Sequence, residues 1–211
     1  MSGYTFKELE HRGWTERAAA YDSYFALVTR QAIEPILATF GDLCGKRLLD
    51  VACGTGHLTA SAAARGAEAE GLDFASTMAA TAAANYPGIK FTVGDAEDLP
   101  YEDESFDCVA CSFGLLHMER PEAAIKEAHR VLRRGGRYTF SVWCAPEQGS
   151  DFFGLIQEAI QTHGTLDVGL PPAPPFFRFA DARECRQALT AARFTAITTI
   201  RLPLTWRGAS P

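Results

Sequence analysis

No stretch of the sequence approaches the roughly 18 consecutive apolar residues that a membrane-crossing helix needs, so no membrane span is expected. The opening residues, Met1 to Trp14, hold no basic segment followed by an apolar one, so a secretory signal is not expected and the cytoplasm is the expected compartment. Lysine and arginine form no runs, and the formal net charge is -6 with a pI near 5.4. Nucleic-acid binders usually carry a basic patch or stripe, so nucleic acid is not an expected partner. Cysteine is sparse and scattered, at positions 44, 53, 108, 111, 144 and 185, which reads as reduced thiols rather than a disulfide framework. Cys108 and Cys111 form a C-x-x-C, but within an apolar strand. Residues three apart on a strand face opposite ways, so the pair cannot share a metal or a disulfide, and no metal site is expected.

What is present is a chain of 211 residues, 47% of them hydrophobic, enough for one domain with a substantial core. Apolar strand-like runs alternate with helical ones. Strands are expected at Lys46–Val51, Glu68–Asp73, Lys90–Val93, Asp107–Phe113 and Arg137–Trp143. Helices are expected at His57–Arg65, from Ser76 as a cap to Asn85, and at Pro121–Leu132, closed by Gly135-Gly136. This β-α alternation predicts an α/β fold: a doubly wound, mostly parallel sheet with helices on both faces. A helical lead over about Thr15–Phe40, kinked at Pro35, precedes it. A Pro/Phe-rich segment from Ala145 to Phe179, a helix near Asp181–Arg193 and a strand near Ala196–Pro203 follow it. The expected division is 1–45 lead, 46–143 core and 144–211 acceptor-side segment, all within one domain.

Chemistry concentrates where strands end. Asp50-Val-Ala52-Cys-Gly54-Thr55-Gly56 closes the first strand and opens a helix. Glycine lets backbone approach a ligand closely, and the helix start offers unpaired N–H groups. The turn also fits a plain strand-to-helix connection. A dinucleotide site would favour a third glycine at position 59, where threonine stands. Asp73 closes the second strand, where a carboxylate can accept both ribose hydroxyls or cap a helix. Asp95 follows the third, placed to accept from an adenine amine. The acid-rich run Glu97–Glu104 reads as a solvated loop with no role for most of its charges. Three acids at successive strand ends repel one another, and a hydrogen-bond-donating cation would relieve them. S-adenosylmethionine is such a cation.

The runs Leu49–Gly56, Gly71–Ala75, Gly94–Pro100, Ser105–Asp107 and Val131–Gly136 come in the order seen in class I S-adenosylmethionine-dependent methyltransferases, and the stretch Leu48–Leu132 resembles that family. It is most similar to the group containing the ubiquinone and menaquinone C-methyltransferases. The resemblance implies that Asp50, Ala52, Gly54, Thr55 and Gly56 surround the methionine part of the cofactor. Asp73 would hold the ribose, with Phe74 and Met78 against the nucleoside. Asp95 and Ala96 would face the adenine, and Ser112 and Phe113 the amino-acid end. His117 would lie near the transferred methyl, as base or pocket wall. Tyr21 would cover the cofactor from the lead, unless it only packs there. Ala52 stands where the family often has glycine.

The expected reaction is methyl transfer to a small hydrophobic or aromatic acceptor, leaving S-adenosylhomocysteine. The acceptor would lie between the lead and the Pro/Phe-rich segment, walled by Trp14, Tyr24 and the phenylalanines. His11, His129 and His163 read as surface residues. Two alternatives are a non-catalytic S-adenosylmethionine-binding module and a nicotinamide-dependent oxidoreductase. The family's sheet usually ends in a reversed hairpin, and Ala196–Pro203 supplies only one strand of it. The chain is therefore expected to be truncated relative to its family, or to complete its sheet otherwise.

Overall fold

The computed structural model describes residues 3–165 and 168–206, apart from the side chain of Ala19. Helix α1 (Phe6–Tyr21) begins in a reciprocal cap, in which Thr5 Oγ1 accepts from the Glu8 N–H and Glu8 accepts from the Thr5 N–H. A broken passage of α2 (Ala26–Thr29), a 3-10 turn and α3 (Ile33–Ala38) follows. The lead is broken at the 3-10 turn Arg30–Ala32, just before the expected kink at Pro35. Pro35 sits in the first turn of α3, where the missing N–H costs nothing.

The core then alternates β1 (Arg47–Val51), α4 (His57–Ala63), β2 (Glu68–Asp73), α5 (Ser76–Asn85), β3 (Lys90–Val93), β4 (Phe106–Ser112), α6 (Pro121–Val131) and β5 (Leu132–Ser141). All strand pairings are parallel, in the order β3-β2-β1-β4-β5. The chain reverses direction across the sheet between β1 and β4, and the carboxyl ends there form the crevice where such sheets bind ligands. Alternation splits the core in two. Leu49 and Val51 pack with α6 and the later α8 (Ala182–Ala191), while Leu48 packs with α3 and α4. Cys111 lies on the first face and Cys108 on the second, as the strand geometry requires.

Several boundaries differ from the sequence reading. Ser76 is the first helical residue of α5, and Ala75 is its cap. Gly135-Gly136 does not end a helix: α6 stops at Val131 and the chain passes straight into an irregular β5 edge. Helix α7 (Asp151–His163) forms inside the Pro/Phe-rich segment. Residues 196–203 are not a strand. Arg193 and Ala196 adopt left-handed φ of 70° and 53°, and the chain crosses the α3 side of the sheet. Leu202 and Leu204 pack there, and Gln31 exchanges two hydrogen bonds with the Thr205 backbone. Branched side chains favour a strand, but this segment packs its leucines on the α3 side and bonds its backbone to Gln31 instead of pairing with a strand. Residues 207–211, included in the truncation expectation, lie outside the described residues.

Candidate functional site

The turn after β1 is shaped by its neighbours. Gly56 has φ +88°, and a Cβ there would lie 2.8 Å from Phe91 and 3.0 Å from Ala82. Ala52 takes a left-handed φ of 56°, a conformation in which glycine is unstrained. Its methyl is accommodated by Gly114, whose own Cβ would come within 2.6 Å of it.

Asp50 is buried on β1. Its Oδ2 accepts from Thr59 Oγ1 at 2.7 Å, while Oδ1 is buried with no hydrogen-bond partner among the described residues. The residue in place of the third glycine thus serves the acid. Desolvation pushes the Asp50 carboxyl up to about 7, against its Thr59 hydrogen bonds and with help from Asp73. Asp73 Oδ2 accepts the Gly54 N–H and Oδ1 the Ala75 N–H, both at 2.9 Å. Burial raises this carboxyl too, opposed by those two amides and the imidazoles of His117 and His11. A carboxylate offers about four acceptor positions, so Asp73 retains capacity for a diol.

A cavity of about 600 Å³ opens over these strand ends. Its floor holds Ala52, Gly54, Asp73, Phe74, Met78, Asp95 and Ala96, and Ser112, Phe113, Tyr21 and His117 also line it. A smaller recess beside it contains Asp50 and Thr55. Gly56 lines neither, and its place in the turn is set by packing. The far wall is aromatic: Trp14, Tyr24, Phe25, Trp143, Phe153 and Phe176. Phe179 is core instead, and Phe152 meets Phe25 and Trp206 edge-on outside the cavity.

Some functional pairings lay outside the sequence reading. Lys7 pairs with Asp95 and Glu97, and Arg120 donates to Glu97 through its backbone and its Nε. Glu97 is therefore a buried ionic hub rather than part of a solvated loop. Asp22, just past α1, accepts from Thr55 Oγ1 at 2.6 Å and lies 2.9 Å from His57 Nε2, clamping the turn. Arg30 lines the recess beside Asp50 without an ion pair among the described residues. His129 is half-buried against Phe194 rather than a surface residue. No motif marks Lys7 or Asp22, because their partners are distant in sequence, and none marks Arg30. The orphaned Asp50 oxygen, the spare acceptors of Asp73 and the glycine-floored cavity suit a cationic nucleoside such as S-adenosylmethionine.

Residues 49–140 match the family model described as a methyltransferase domain. The chain is 35% identical over 128 residues to a demethylmenaquinone methyltransferase of Clavibacter sepedonicus, covering 59% of this chain and 49% of that one. The chain spans about half the length of the first curated relatives it matches. A solved S-adenosylmethionine-dependent methyltransferase from Thermotoga maritima shares the fold at TM-score 0.61, with 20% identity over 85% of this chain and 78% of that one. The cyclase SpnF aligns at TM-score 0.58 and 27% identity, over 77% of this chain and 55% of that one. Motif, crevice and family match converge on one stretch: residues 49–140 are similar to a methyltransferase domain and supply the parallel sheet whose strand ends form the crevice.

Proposed function

We propose that the chain transfers a methyl group from S-adenosylmethionine to a small apolar or aromatic molecule, leaving S-adenosylhomocysteine. The observation that carries this reading is the joining of an acid-lined strand edge and an aromatic wall in one cavity of about 600 Å³. We read residues 46–143 as the cofactor core and both flanks, 1–45 and 144–211, as acceptor walls of the same unit. The curated relatives named as demethylmenaquinone methyltransferases support an aromatic, quinone-type acceptor. With net charge -6 and an acidic site, nucleic acid is not the acceptor this reading favours. Among the described residues no helix is long and apolar enough to cross a membrane.

When bound, S-adenosylmethionine supplies a methyl group activated on a sulfonium. The chain's own work is then to bind and align. Asp73 accepts the ribose hydroxyls, and Phe74 and Met78 flank the nucleoside. Asp95 and Ala96 face the adenine. Asp50, with Ala52, Gly54 and Thr55, receives the positively charged end, while Ser112, Phe113 and Arg30 receive the amino-acid group. Tyr21 covers the turn, its hydroxyl held 3.0 Å from Thr29 Oγ1. The aromatic wall excludes water and aligns the acceptor with the methyl, which is where most of the acceleration of such a transfer arises.

SpnF shows that a cyclase can use this fold, so fold alone does not fix the reaction. Calorimetry with S-adenosylmethionine, S-adenosylhomocysteine and NAD tests the cofactor. Micromolar binding of the first two is expected, with about a hundredfold loss in Asp73→Ala, roughly 3 kcal/mol for removing a buried charged acceptor. Preferential NAD binding would restore the oxidoreductase reading. Cofactor binding without methyl turnover across an acceptor screen would favour the binding-module reading.

A further inference from the structure

The strand ends account for the cofactor half of the cavity and leave His117 unexplained. It ends the 3-10 turn Leu115–His117 after β4 and lines the cavity between Asp73 and the aromatic wall. Its Nδ1 lies 2.8 Å from Oε2 of Glu10, a residue of α1. The same oxygen accepts from Trp14 Nε1 at 3.1 Å. The Trp14 and His117 rings meet edge-on with centroids 4.8 Å apart. Both ends of the pair are half-buried, with side-chain exposures of 24% and 22%. Glu10 and Trp14 are one helical turn apart, so α1 presents them on one face.

A carboxylate only accepts, so a neutral His117 carries its proton on Nδ1 and holds a lone pair on Nε2. No hydrogen bond among the described residues occupies Nε2. The indole fixes the carboxylate, the carboxylate fixes the imidazole, and the free nitrogen belongs to a ring lining the cavity. An ion pair that merely docked α1 would gain nothing from a free basic nitrogen at that place. A thiolate or amine acceptor has little use for such a base, whereas a hydroxyl does.

We infer that Glu10 is a positioning residue holding His117 as a general base, and that the acceptor is an aromatic or enolic molecule bearing a hydroxyl that must lose its proton. The inference deepens the methyl-transfer reading and rests on it. In the step, the hydroxyl proton passes to His117 Nε2 and the oxygen lone pair forms the bond to the methyl carbon. The electron pair of the broken carbon–sulfur bond stays on sulfur, and the imidazolium returns its proton to water.

The test compares wild type, Glu10→Gln, Glu10→Ala and His117→Asn on two probes of one shape, naphthol and naphthalenethiol, near neutral pH. The thiol ionises there largely unaided. General-base catalysis contributes about a hundredfold or more, so Glu10→Gln is expected to lower kcat on naphthol by roughly ten- to a hundredfold with KM little changed. That loss should exceed the loss on naphthalenethiol by at least about tenfold. In parallel, nitrogen NMR of the ligand-free protein, assigned with His117→Asn, should place the proton on Nδ1 in wild type and lose that preference in Glu10→Ala. Equal losses on the two probes overturn the inference, as does a wild-type ring protonated on Nε2. Should neither probe turn over, the ring-nitrogen result decides. Failure to bind S-adenosylmethionine in calorimetry would instead defeat the methyl-transfer reading and leave the tautomer result standing.

Discussion

The two walls of the cavity are made in different ways. The strand-end wall is held by backbone: parallel ladders fix β1, β2 and β4 in register, and Asp50 and Asp73 are 1% and 5% exposed. The opposite wall is held by side chains. Its aromatics reach the surface, with Tyr24 62% and Phe25 48% exposed, and α7 has no fully buried residue. Its helical part is tied to the core by a small apolar cluster of Ala18 with Ala75 and Met78, and by long-range polar pairs: Lys7 to Asp95, Glu10 to His117, and Asp22 to Thr55 and His57. Helix α7, with no fully buried residue, lies at the low-stability end of the fold, from which ligand-binding elements are often drawn. On the proposed reading, the first wall holds the cofactor and the second is free to differ with the acceptor.

Paired glycine substitutions give the largest expected contrast. Gly56 and Gly149 both have φ of 88°, but a Cβ on Gly149 meets nothing within 4 Å, whereas on Gly56 it strikes Phe91 and Ala82. Gly149→Ala should cost about 1 kcal/mol, the penalty of the left-handed backbone alone. Gly56→Ala adds overpacking and should cost roughly 2–4 kcal/mol. Thermal unfolding followed by circular dichroism should show the difference as a Tm several degrees lower for Gly56→Ala, at roughly 2–4 °C per kcal/mol for a chain of this size. Equal losses would mean that the strand-end wall is no more tightly packed than the other.

Asp50 gives the next contrast. Burial raises its carboxyl to about 7. A folded-state value above the unfolded one means the ligand-free fold holds the proton. The stability from this group is then complete below about pH 4 and lost as pH rises through about 7. Asp50→Asn should remove that decline. Binding of a sulfonium runs the other way, because the cation favours the ionised acid. Affinity for S-adenosylmethionine should therefore tighten about tenfold between roughly pH 6 and pH 8 in wild type and stay flatter in Asp50→Asn. The ligand's own amine titrates in both proteins and cancels from the comparison. Parallel pH profiles for the two proteins would remove Asp50 from the cationic end of the site.

The same division decides what could be read from the sequence. Asp50, Gly54, Asp73 and the residues after β3 are legible because each sits at a strand end set by local periodicity, and one parallel sheet brings those ends together. The opposed faces of Cys108 and Cys111 follow from the same period of two. Lys7 and Glu10 were not legible, since an exposed-looking helix gives no sign of partners 88 and 107 residues away. Helix α7 is hidden by the prolines that follow it, and the stretch 196–203 looks like a strand because side-chain preference says nothing about where the chain packs. Glu97 reads as solvated because its neighbours in sequence are acidic, while its neighbours in space are Lys7 and Arg120.

Lys7 carries the smallest expected effect and tests whether the walls compete. Its ammonium pairs with the Asp95 Oδ2, while Oδ1 accepts the Glu97 N–H at 2.9 Å. If Asp95 serves the adenine amine, that amine and the lysine seek the same oxygen, and cofactor entry must shift Lys7 toward Glu97. The pair is about one-third exposed at each end, with side-chain values of 33% and 34%. Pairs this exposed are worth about 0–1 kcal/mol, so relief of the competition is bounded at about fivefold. Lys7→Gln should accordingly tighten S-adenosylhomocysteine binding by up to about fivefold in calorimetry. Added salt, which screens the lysine pair, should narrow the gap between the two proteins. Weaker binding in Lys7→Gln would make α1 part of the cofactor site itself, and the separation of a fixed cofactor wall from an adaptable acceptor wall would fail at its adenine end.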